Sequence, residues 1–170
     1  MEEIYLNKRL NNEEILKTIS EIFTELQVFH DDFTGNSPEK LDIDNPAHIF
    51  FNTDDGFGSR EFNFRISVYR TPNIHETERE LYLAKIFSEQ YRIKTLVPFS
   101  NPDDPGDPFY DIVFNDGKIY LADDSKVDDS TGGDVEILHE YHLEIFDFDK
   151  KAGIIKYQTT RNNKFTHVLI

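Results

Sequence analysis

Two stretches of the chain repeat apolar residues at the spacing of an α-helix. The stretch 76–91 opens with acidic residues, which are favoured at the positive end of a helix dipole. Its apolar side recurs at three- and four-residue steps through Leu81, Ala84, Phe87 and Tyr91, and Leu83 and Ile86 widen it. The other stretch begins with Asn11 as a helix cap and Glu14 three residues later, and its apolar stripe continues to about Gln27. The pattern predicts two amphipathic helices that pack on a core.

Strand patterns follow the second helix directly. Residues 92–99 (RIKTLVPF) predict a strand, and the runs FYDIVF and KIYLA predict a hairpin. Asn115, Asp116 and Gly117 lie between the two runs, and these residue types accept the positive φ angles of a tight turn. A loop dense in Asp, Pro and Gly (SNPDDPGDP) separates the strand from the hairpin. This region is therefore predicted as helix, strand and hairpin.

Two more strands are predicted between the helices. His48–Asn52 is short and apolar, and Glu61–Arg70 alternates, with Phe62, Phe64, Ile66 and Val68 on one face. Their link, TDDGFGS, has the two glycines of a hairpin-type turn. Residues 28–46 are polar and rich in turn residues, which predicts a connection without regular structure. Residues 1–10 fit either a short strand or an irregular lead.

The last third of the chain predicts an antiparallel meander after a polar connector at residues 123–134. Its segments are a strand Val135–Phe148, a turn Asp149–Gly153, a strand Ile154–Thr160, a turn Arg161–Asn163 and a strand Phe165–Ile170. Helices that are segregated from hairpin-linked strands are typical of α+β proteins. We therefore expect one α+β domain over residues 1–170, with two amphipathic helices packed on a mostly antiparallel sheet and a C-terminal β-meander.

Composition narrows the classes of protein that the chain fits. Of the 170 residues, 38% are hydrophobic and 30% are charged, a balance typical of a globular domain. No apolar run approaches the roughly 20 residues needed to cross a bilayer. The first residues, MEEIYLNKRL, place acids where a signal peptide is basic, so we expect a cytoplasmic protein. The absence of cysteine excludes disulfides and thiolate chemistry.

The net charge of −15 is distributed unevenly. Residues 99–149 carry 15 acidic and two basic side chains, whereas residues 150–170 carry five basic and no acidic ones. Such a field repels nucleic acid and anionic membranes and attracts basic surfaces. We therefore expect a basic protein as the partner, and neither nucleic acid nor a membrane. A solvated surface without a partner is the alternative interpretation of any acidic run.

Motifs for metal binding are incomplete. His139 and His142 are three residues apart in a strand-like context and would point to opposite faces, whereas zinc proteases place two His four apart on one helical face. Residues 54–56 and 124–128 lack the alternating oxygen ligands and terminal Glu of a helix-loop-helix calcium site. No metal site is therefore predicted.

Motifs for catalysis are incomplete as well. The segment Gly56–Gly58 is too short for a phosphate loop, and no Lys follows it. The chain has no G-x-S-x-G elbow, and its 33 acidic residues make any one carboxylate pair uninformative. The sequence predicts no cofactor and no catalytic residue, and an enzyme would need a site that local pattern does not reveal.

One part of the chain resembles a known group of proteins. The motifs are L-A-K-I-F at Leu83–Phe87, a strand ending in Val97-Pro98, and Pro108-Phe109-Tyr110 leading into a hairpin with Asp116-Gly117-Lys118. Between Thr77 and Asp129 this arrangement resembles small bacterial immunity proteins, which neutralise polymorphic or contact-dependent toxins. The resemblance implies a non-catalytic protein that folds alone and blocks a cognate toxin.

The charge pattern leads to a similar expectation for the binding surface. Many toxin domains degrade nucleic acid and therefore present cationic clefts that an acidic surface could occupy. Two acidic segments flank the same hairpin, and aromatic residues beside them could supply a buried anchor. The predicted partner-binding residues are Asp103, Asp104, Asp107, Phe109, Tyr110, Asp123, Asp124, Asp128 and Asp129.

Two other functions remain open at this point. One is a regulatory or adaptor module with an unrelated role. The other is an enzyme with a dispersed carboxylate or His site, which would require a concave pocket and shifted ionisation.

Overall fold

The structure, a computed structural model, describes residues 1–35, 37–56, 59–71, 75–127, 133–145 and 157–159. The helices are α1 (Asn12–Ile22) and α2 (Glu76–Tyr91). The strands are β1 (Glu2–Leu6), β2 (Gln27–His30), β3 (His48–Asp55), β4 (Phe64–Tyr69), β5 (Thr95–Pro98), β6 (Tyr110–Asn115), β7 (Lys118–Asp123), β8 (Glu136–Glu140), β9 (Leu143–Ile145) and β10 (Tyr157–Thr159). Neither helix in these ranges is both long enough and apolar enough to span a membrane.

The strands β1 to β8 form one sheet in the order β2-β3-β4-β1-β5-β6-β7-β8. Every neighbouring pair is antiparallel except β2 and β3, which run parallel. The strands β5 to β8 follow one another as a meander, and β9 pairs antiparallel with β10 in a separate two-stranded sheet. The predicted α+β class, with two helices and a mostly antiparallel sheet, is confirmed.

Both helices pack on one face of the sheet and enclose the main core. This core joins Ile15 and Ile19 of α1 and Phe87 of α2 to buried strand residues such as Ile4 and Ile66. A second, smaller cluster lies on the opposite face and contains Tyr5, Phe62, Leu96, Val113, Ala122 and Val135. Because successive strand residues alternate between the faces, the central strands contribute to both clusters.

The strand β1 occupies the centre of the sheet, between β4 and β5. The sequence of residues 1–10 fits either a short strand or an irregular lead, and the structure contains the strand. Ile4 and Leu6 face the helices, and Tyr5 joins the cluster on the other face. Asn7, directly after this strand, holds the chain before β5 with two hydrogen bonds: its backbone N–H donates to the Lys94 carbonyl at 3.1 Å, and its side-chain oxygen accepts the N–H of Lys94 at 2.9 Å.

The parallel strand β2 corrects the prediction of a connection without regular structure at residues 28–46. Only Val28 and Phe29 are apolar in this four-residue strand, so it shows no alternation to recognise. It forms because β3 offers an edge, and the pairing places Phe29 opposite Phe50. The segment that follows it turns on the buried Asp31, whose carboxylate accepts the N–H of Phe33 at 2.9 Å.

For the helices, the predicted extent of α2 is confirmed and the predicted end of α1 is wrong. The helix α2 spans Glu76–Tyr91, as the sequence pattern predicted. The capping box at the start of α1 is also present, because Asn11 and Glu14 each accept the other's backbone N–H. The predicted end near Gln27 is wrong, since α1 ends at Ile22. The apolar stripe continues past this end because Phe23 and Leu26 reach the core from a turn instead of a helix.

Several strand boundaries in the structure differ from the predicted ones. The predicted strand at Glu61–Arg70 begins at Phe64, so Phe62 lies on the preceding turn and covers the face opposite Phe64. The predicted strand at His48–Asn52 extends to Asp55. At the β6–β7 turn, Asp116 and Gly117 have the positive φ angles, and Asn115 remains in β6. The predicted strand 135–148 divides at Tyr141 and His142 into β8 and β9.

Several other predictions fall on residues that the structure does not describe. They are the turns Asp149–Gly153 and Arg161–Asn163, the strand Phe165–Ile170, and Phe57 and Gly58 of the TDDGFGS turn. Of the predicted strand Ile154–Thr160, the structure describes Tyr157–Thr159, which form β10.

Candidate partner-binding surface

One end of the sheet gathers several strand ends and the start of α2. Pro98 of β5 pairs with Asp111 of β6, and Tyr110 pairs with Asp123 at the end of β7. Because β1 is antiparallel to β5, it also begins here. The N-terminal amino group of Met1 lies 2.9 Å from the Glu76 carboxylate, which places the start of α2 at the same end. Loops from distant parts of the sequence therefore meet at this end.

The two predicted acidic segments come together here. The N–H of Asp124 donates to the carbonyl of Phe109 at 3.0 Å, which continues the β6–β7 pairing by one step. This contact joins the loop 99–109 to the start of the connector after β7. We call Asp103, Asp104, Asp107, Asp123 and Asp124 the acidic surface. The predicted site residues Asp128 and Asp129 lie outside the described residues.

The loop 99–109 is held in shape by its own short-range hydrogen bonds. The buried Asn101 accepts the N–H of Asp103 at its side chain, and its carbonyl accepts that of Asp104. The carboxylate of Asp107 accepts the N–H of Phe109 at 3.0 Å. Prolines at 102, 105 and 108 further restrict the backbone. Asp103 and Asp104 consequently point outward from an ordered loop.

The two predicted aromatic anchors have different positions. The ring of Phe109 is 47% exposed, at the junction of the two acidic segments. Tyr110, on the opposite face of β6, is partly buried and packs against the main core. Phe109 is therefore the side chain that a partner could bury, and Tyr110 mainly supports the sheet end.

A carboxyl group that the sequence analysis missed lies beneath this surface. Asp111 is 3% exposed, and no described residue forms a hydrogen bond with its Oδ2. Asp111 pairs with Ala122, so it lies on the same face of the sheet as Asp124, which directly follows the last residue of β7. The Oδ1 of Asp124 is buried and also without a partner. The structure thus brings two unsatisfied carboxyl groups together on the face away from the helices.

Burial controls the ionisation of this pair. It raises the pKa of Asp111 to about 8, and the nearby charges of Asp124 and Asp123 add to the effect. Burial also raises the pKa of Asp124, with a contribution from Asp123. Asp111 is therefore largely protonated at neutral pH. The sequence carried a signal for this residue, since an Asp two positions before a core residue, Val113, is unusual in an apolar strand.

A cleft of about 370 Å³ opens beside the acidic surface, between the first turns of α2 and the loop 99–109. Its lining residues are Thr77, Glu80, Pro98, Phe99, Ser100, Pro105, Gly106, Asp107 and Pro108. The Glu80 carboxylate accepts the N–H of Glu3 at 2.9 Å. Burial raises the pKa of Glu80 to about 7, against the lowering effect of that hydrogen bond and with repulsion from Glu2 and Glu3.

The charges around this cleft favour a cation. The positive end of α2 opposes one by about 0.3–1 kcal/mol. A hydrogen bond to a charged group contributes more, about 1.5–3 kcal/mol. Glu80 and Asp107 supply two such acceptors, so the carboxylates outweigh the dipole.

A second cleft, of about 420 Å³, lies at the other end of the sheet. Its polar lining includes Arg9 and Asp55, which pair with each other at 2.8 Å. Arg9 also lies over the ring of Phe64, 4.7 Å from its centroid. The charges of this cleft are therefore neutralised within the chain, unlike those of the acidic surface.

The histidine motif does not form a compact cluster. His139 lies in β8 and its ring nitrogen is 3.0 Å from the carbonyl of Glu140, whereas His142 follows the end of that strand. Across the described ranges, no three His, Cys, Asp or Glu side chains are arranged to hold a metal ion.

Comparison with known proteins adds no relative to these observations. A scan of protein-family models, a search of curated proteins and a search of solved structures each found no match to the chain.

Proposed function

We propose that the chain is a non-catalytic acidic binding protein of the cytoplasm that inhibits a cognate basic toxin, as small bacterial immunity proteins do. The acidic surface covers a cationic surface of the toxin, such as the nucleic-acid-binding cleft of a nuclease. The observation that carries the proposal is the hydrogen bond from Asp124 to Phe109, because it unites the two acidic segments around an exposed aromatic ring.

The charge of this region supports fast association with a basic protein. Within residues 99–127 the basic side chains are Lys118 and Lys126, and both are engaged by acids of β8: Lys118 pairs with Glu140 at 3.0 Å, and Lys126 pairs with Glu136. Asp104, Asp107 and Asp124 form no ion pair within the described residues. A concentrated field of one sign steers an oppositely charged partner and raises its association rate.

The order of the loop supports affinity as well. Binding costs less free energy when the contact groups already have their bound conformation. The hydrogen bonds of Asn101 and Asp107 give the loop 99–109 such an order. Phe109 offers a ring that a partner can desolvate, and aromatic residues at the centre of an interface often contribute most of the binding energy.

The test measures association kinetics with the partner. A secreted toxin encoded directly upstream is the first protein to assay. The variant Asp103→Asn/Asp104→Asn/Asp107→Asn should associate several-fold more slowly in stopped-flow measurements, and the wild-type rate should fall steeply with salt because ions screen the field.

A matched control removes the same charge elsewhere. Glu25, Glu39 and Asp44 are exposed and lie after α1 or before β3, at the opposite edge of the sheet from β8. Their Gln or Asn variants should associate nearly as fast as the wild type. Equal rates for the two triple variants would contradict a local acidic binding surface, and a rate independent of salt would contradict steering.

An enzyme is the alternative function that one observation favours. A carboxyl group with a pKa of about 8, such as Asp111, can act as a general acid near neutral pH. However, Asp111 is 3% exposed and lines neither of the two clefts described above. A substrate would have to displace the chain that covers it, so the geometry supports binding better than catalysis.

A further inference from the structure

The lining of the cleft beside α2 combines apolar rings with two carboxyl groups. Its lining includes the rings of Pro98, Phe99, Pro105 and Pro108. Glu80 enters from the helix and Asp107 from the loop. Its volume of about 370 Å³ is at the small end of ligand pockets, which span roughly 300–1,000 Å³. The size suits one side chain better than a large ligand.

Both carboxylates have unused capacity for a cation. Glu80 accepts one backbone N–H, from Glu3, and Asp107 accepts one, from Phe109. Neither forms an ion pair within the residues that the structure describes: the nearby N-terminal amino group lowers the pKa of Glu80 slightly, but it pairs with Glu76. A carboxylate that is removed from water without a partner is costly, and a cation that enters the cleft removes this cost.

The lining selects the class of ligand. An anion would be repelled by Glu80 and Asp107. A wholly apolar group would cover these carboxylates and leave them without a partner. Lysine and arginine side chains carry a cationic head on an aliphatic stem that packs well on apolar surfaces.

We propose that this cleft binds one lysine or arginine side chain of the partner, with the stem on the proline and phenylalanine rings and the head paired with Glu80 and Asp107. The inference rests on the proposed function, since it identifies what the basic partner inserts beside the acidic surface. The burial that raises the pKa of Glu80 also explains why a cation is needed there to ionise this group fully at neutral pH.

The experiment uses small mimics of the side chain instead of the partner. N-acetyl-arginine-N-methylamide and N-acetyl-lysine-N-methylamide are titrated into the full chain and followed by ¹H–¹⁵N NMR. We expect saturable shifts at the amides of Thr77, Ser100 and Gly106. The neutral N-acetyl-norleucine-N-methylamide, which has the stem without the charge, should bind about tenfold more weakly or not at all.

The variant Glu80→Gln/Asp107→Asn tests the carboxylates directly. Each replacement keeps the oxygen that accepts the backbone N–H, so the loop and helix should retain their positions. The Kd for the arginine mimic should rise about tenfold. The charge-matched variant Glu25→Gln/Glu39→Gln should leave it unchanged, and the NMR spectra of both variants should show a folded chain.

Three outcomes would overturn the inference: no saturable shift at the cleft, equal binding of the norleucine mimic, or an unchanged Kd in the Glu80/Asp107 variant. These outcomes can be told apart from a failure of the proposed inhibitor function. If the mimics do not bind but the Asp103/Asp104/Asp107 variant still slows association with the toxin, the inhibitor function stands and only the cleft is excluded.

Discussion

Glu2 and Asp111 are both buried near the same end of the sheet, but their surroundings are opposite. Glu2 is fully buried on the helix side, where Arg79 of α2 donates from Nε and Nη2 at 2.6 Å and Thr71 donates at 2.7 Å. Asp111 is buried on the other side, and within the described residues its Oδ2 has no donor and no cation pairs with it.

The difference shows two ways of keeping a carboxyl group out of water. A buried charge is tolerated when a cation and hydrogen bonds replace its hydration, and Glu2 has both. Asp111 has neither and holds its proton instead, as its raised pKa indicates. The Glu2–Arg79 pair therefore fastens β1 to α2. The Asp111–Asp124 pair adds unsatisfied acceptors beneath the surface that we propose for partner binding.

The largest expected effect on stability comes from breaking the Glu2–Arg79 ion pair. Arg79→Met leaves the Glu2 carboxylate buried without a cation and should lower the free energy of unfolding by about 3–5 kcal/mol, measured by urea denaturation at pH 7. The double variant Glu2→Gln/Arg79→Met removes the charge but keeps an acceptor for Thr71, so it should recover the part of the loss that comes from the unpaired Glu2 carboxylate. A loss below about 1 kcal/mol for Arg79→Met would contradict a buried, mutually dependent pair.

Asp111→Asn should raise the free energy of unfolding instead of lowering it. The folded-state pKa of about 8 exceeds the ordinary value of 3.8, so the folded chain binds the proton more tightly than the unfolded chain. The stability of the wild type should therefore fall as pH rises from about 4 to 8. Asparagine cannot ionise, so it avoids the buried charge that Asp111 acquires at high pH. The variant should be more stable by about 2–3 kcal/mol above pH 8, and the gain should diminish toward pH 4.

Thermal unfolding across pH 4–9 measures this gain. Asp116→Asn is the control, because Asp116 is exposed in the turn of the same hairpin and tolerates replacement by Asn at its φ of 50°. Its difference from the wild type should not depend on pH over this range. A pH-independent difference for Asp111→Asn would exclude a carboxyl group that is protonated in the folded state.

Glu80→Gln should stabilise the chain less than Asp111→Asn does, and its effect should develop at lower pH. The pKa of Glu80 is raised from 4.5 to about 7, so this group should make the wild type lose stability as pH rises between those values. Glutamine keeps the acceptor for the N–H of Glu3 and should stabilise the chain by about 1–2 kcal/mol above pH 7.

The exposed Glu25→Gln variant is the control for this measurement. It should follow the wild-type stability curve between pH 4 and 8. If the difference between Glu80→Gln and the wild type does not change between pH 4.5 and 7, burial of Glu80 does not govern its ionisation.

Predictions from the sequence succeeded where neighbouring residues decide the structure. The capping box of Asn11 and Glu14, the extent of α2 and the turn at Asp116-Gly117 each depend on residues within a few positions of one another. The end of α1 was wrong because Phe23 and Leu26 continue the apolar period from a turn. β2 was missed because a four-residue edge strand is stabilised by its neighbour β3 and not by its own pattern.

The candidate site also has features that could be predicted from the sequence and features that could not. The sequence indicated which segments are acidic, and the register of the hairpin explains why Phe109 and Asp124 meet. The position of Asp111 within an apolar strand marked it as unusual, but the extent of its burial depends on chain that returns from elsewhere. The same is true of the unpartnered oxygen of Asp124 and of the cleft at Glu80.

By itself, the sequence determined the α+β class, the uneven negative charge and the local elements, because periodicity and turn chemistry act over a few residues. The tertiary structure decided which carboxyl group receives a cation and which keeps a proton. Desolvation and pairing depend on distant neighbours: Arg79 lies 77 positions from Glu2 in the chain, yet it lies against that residue in the fold.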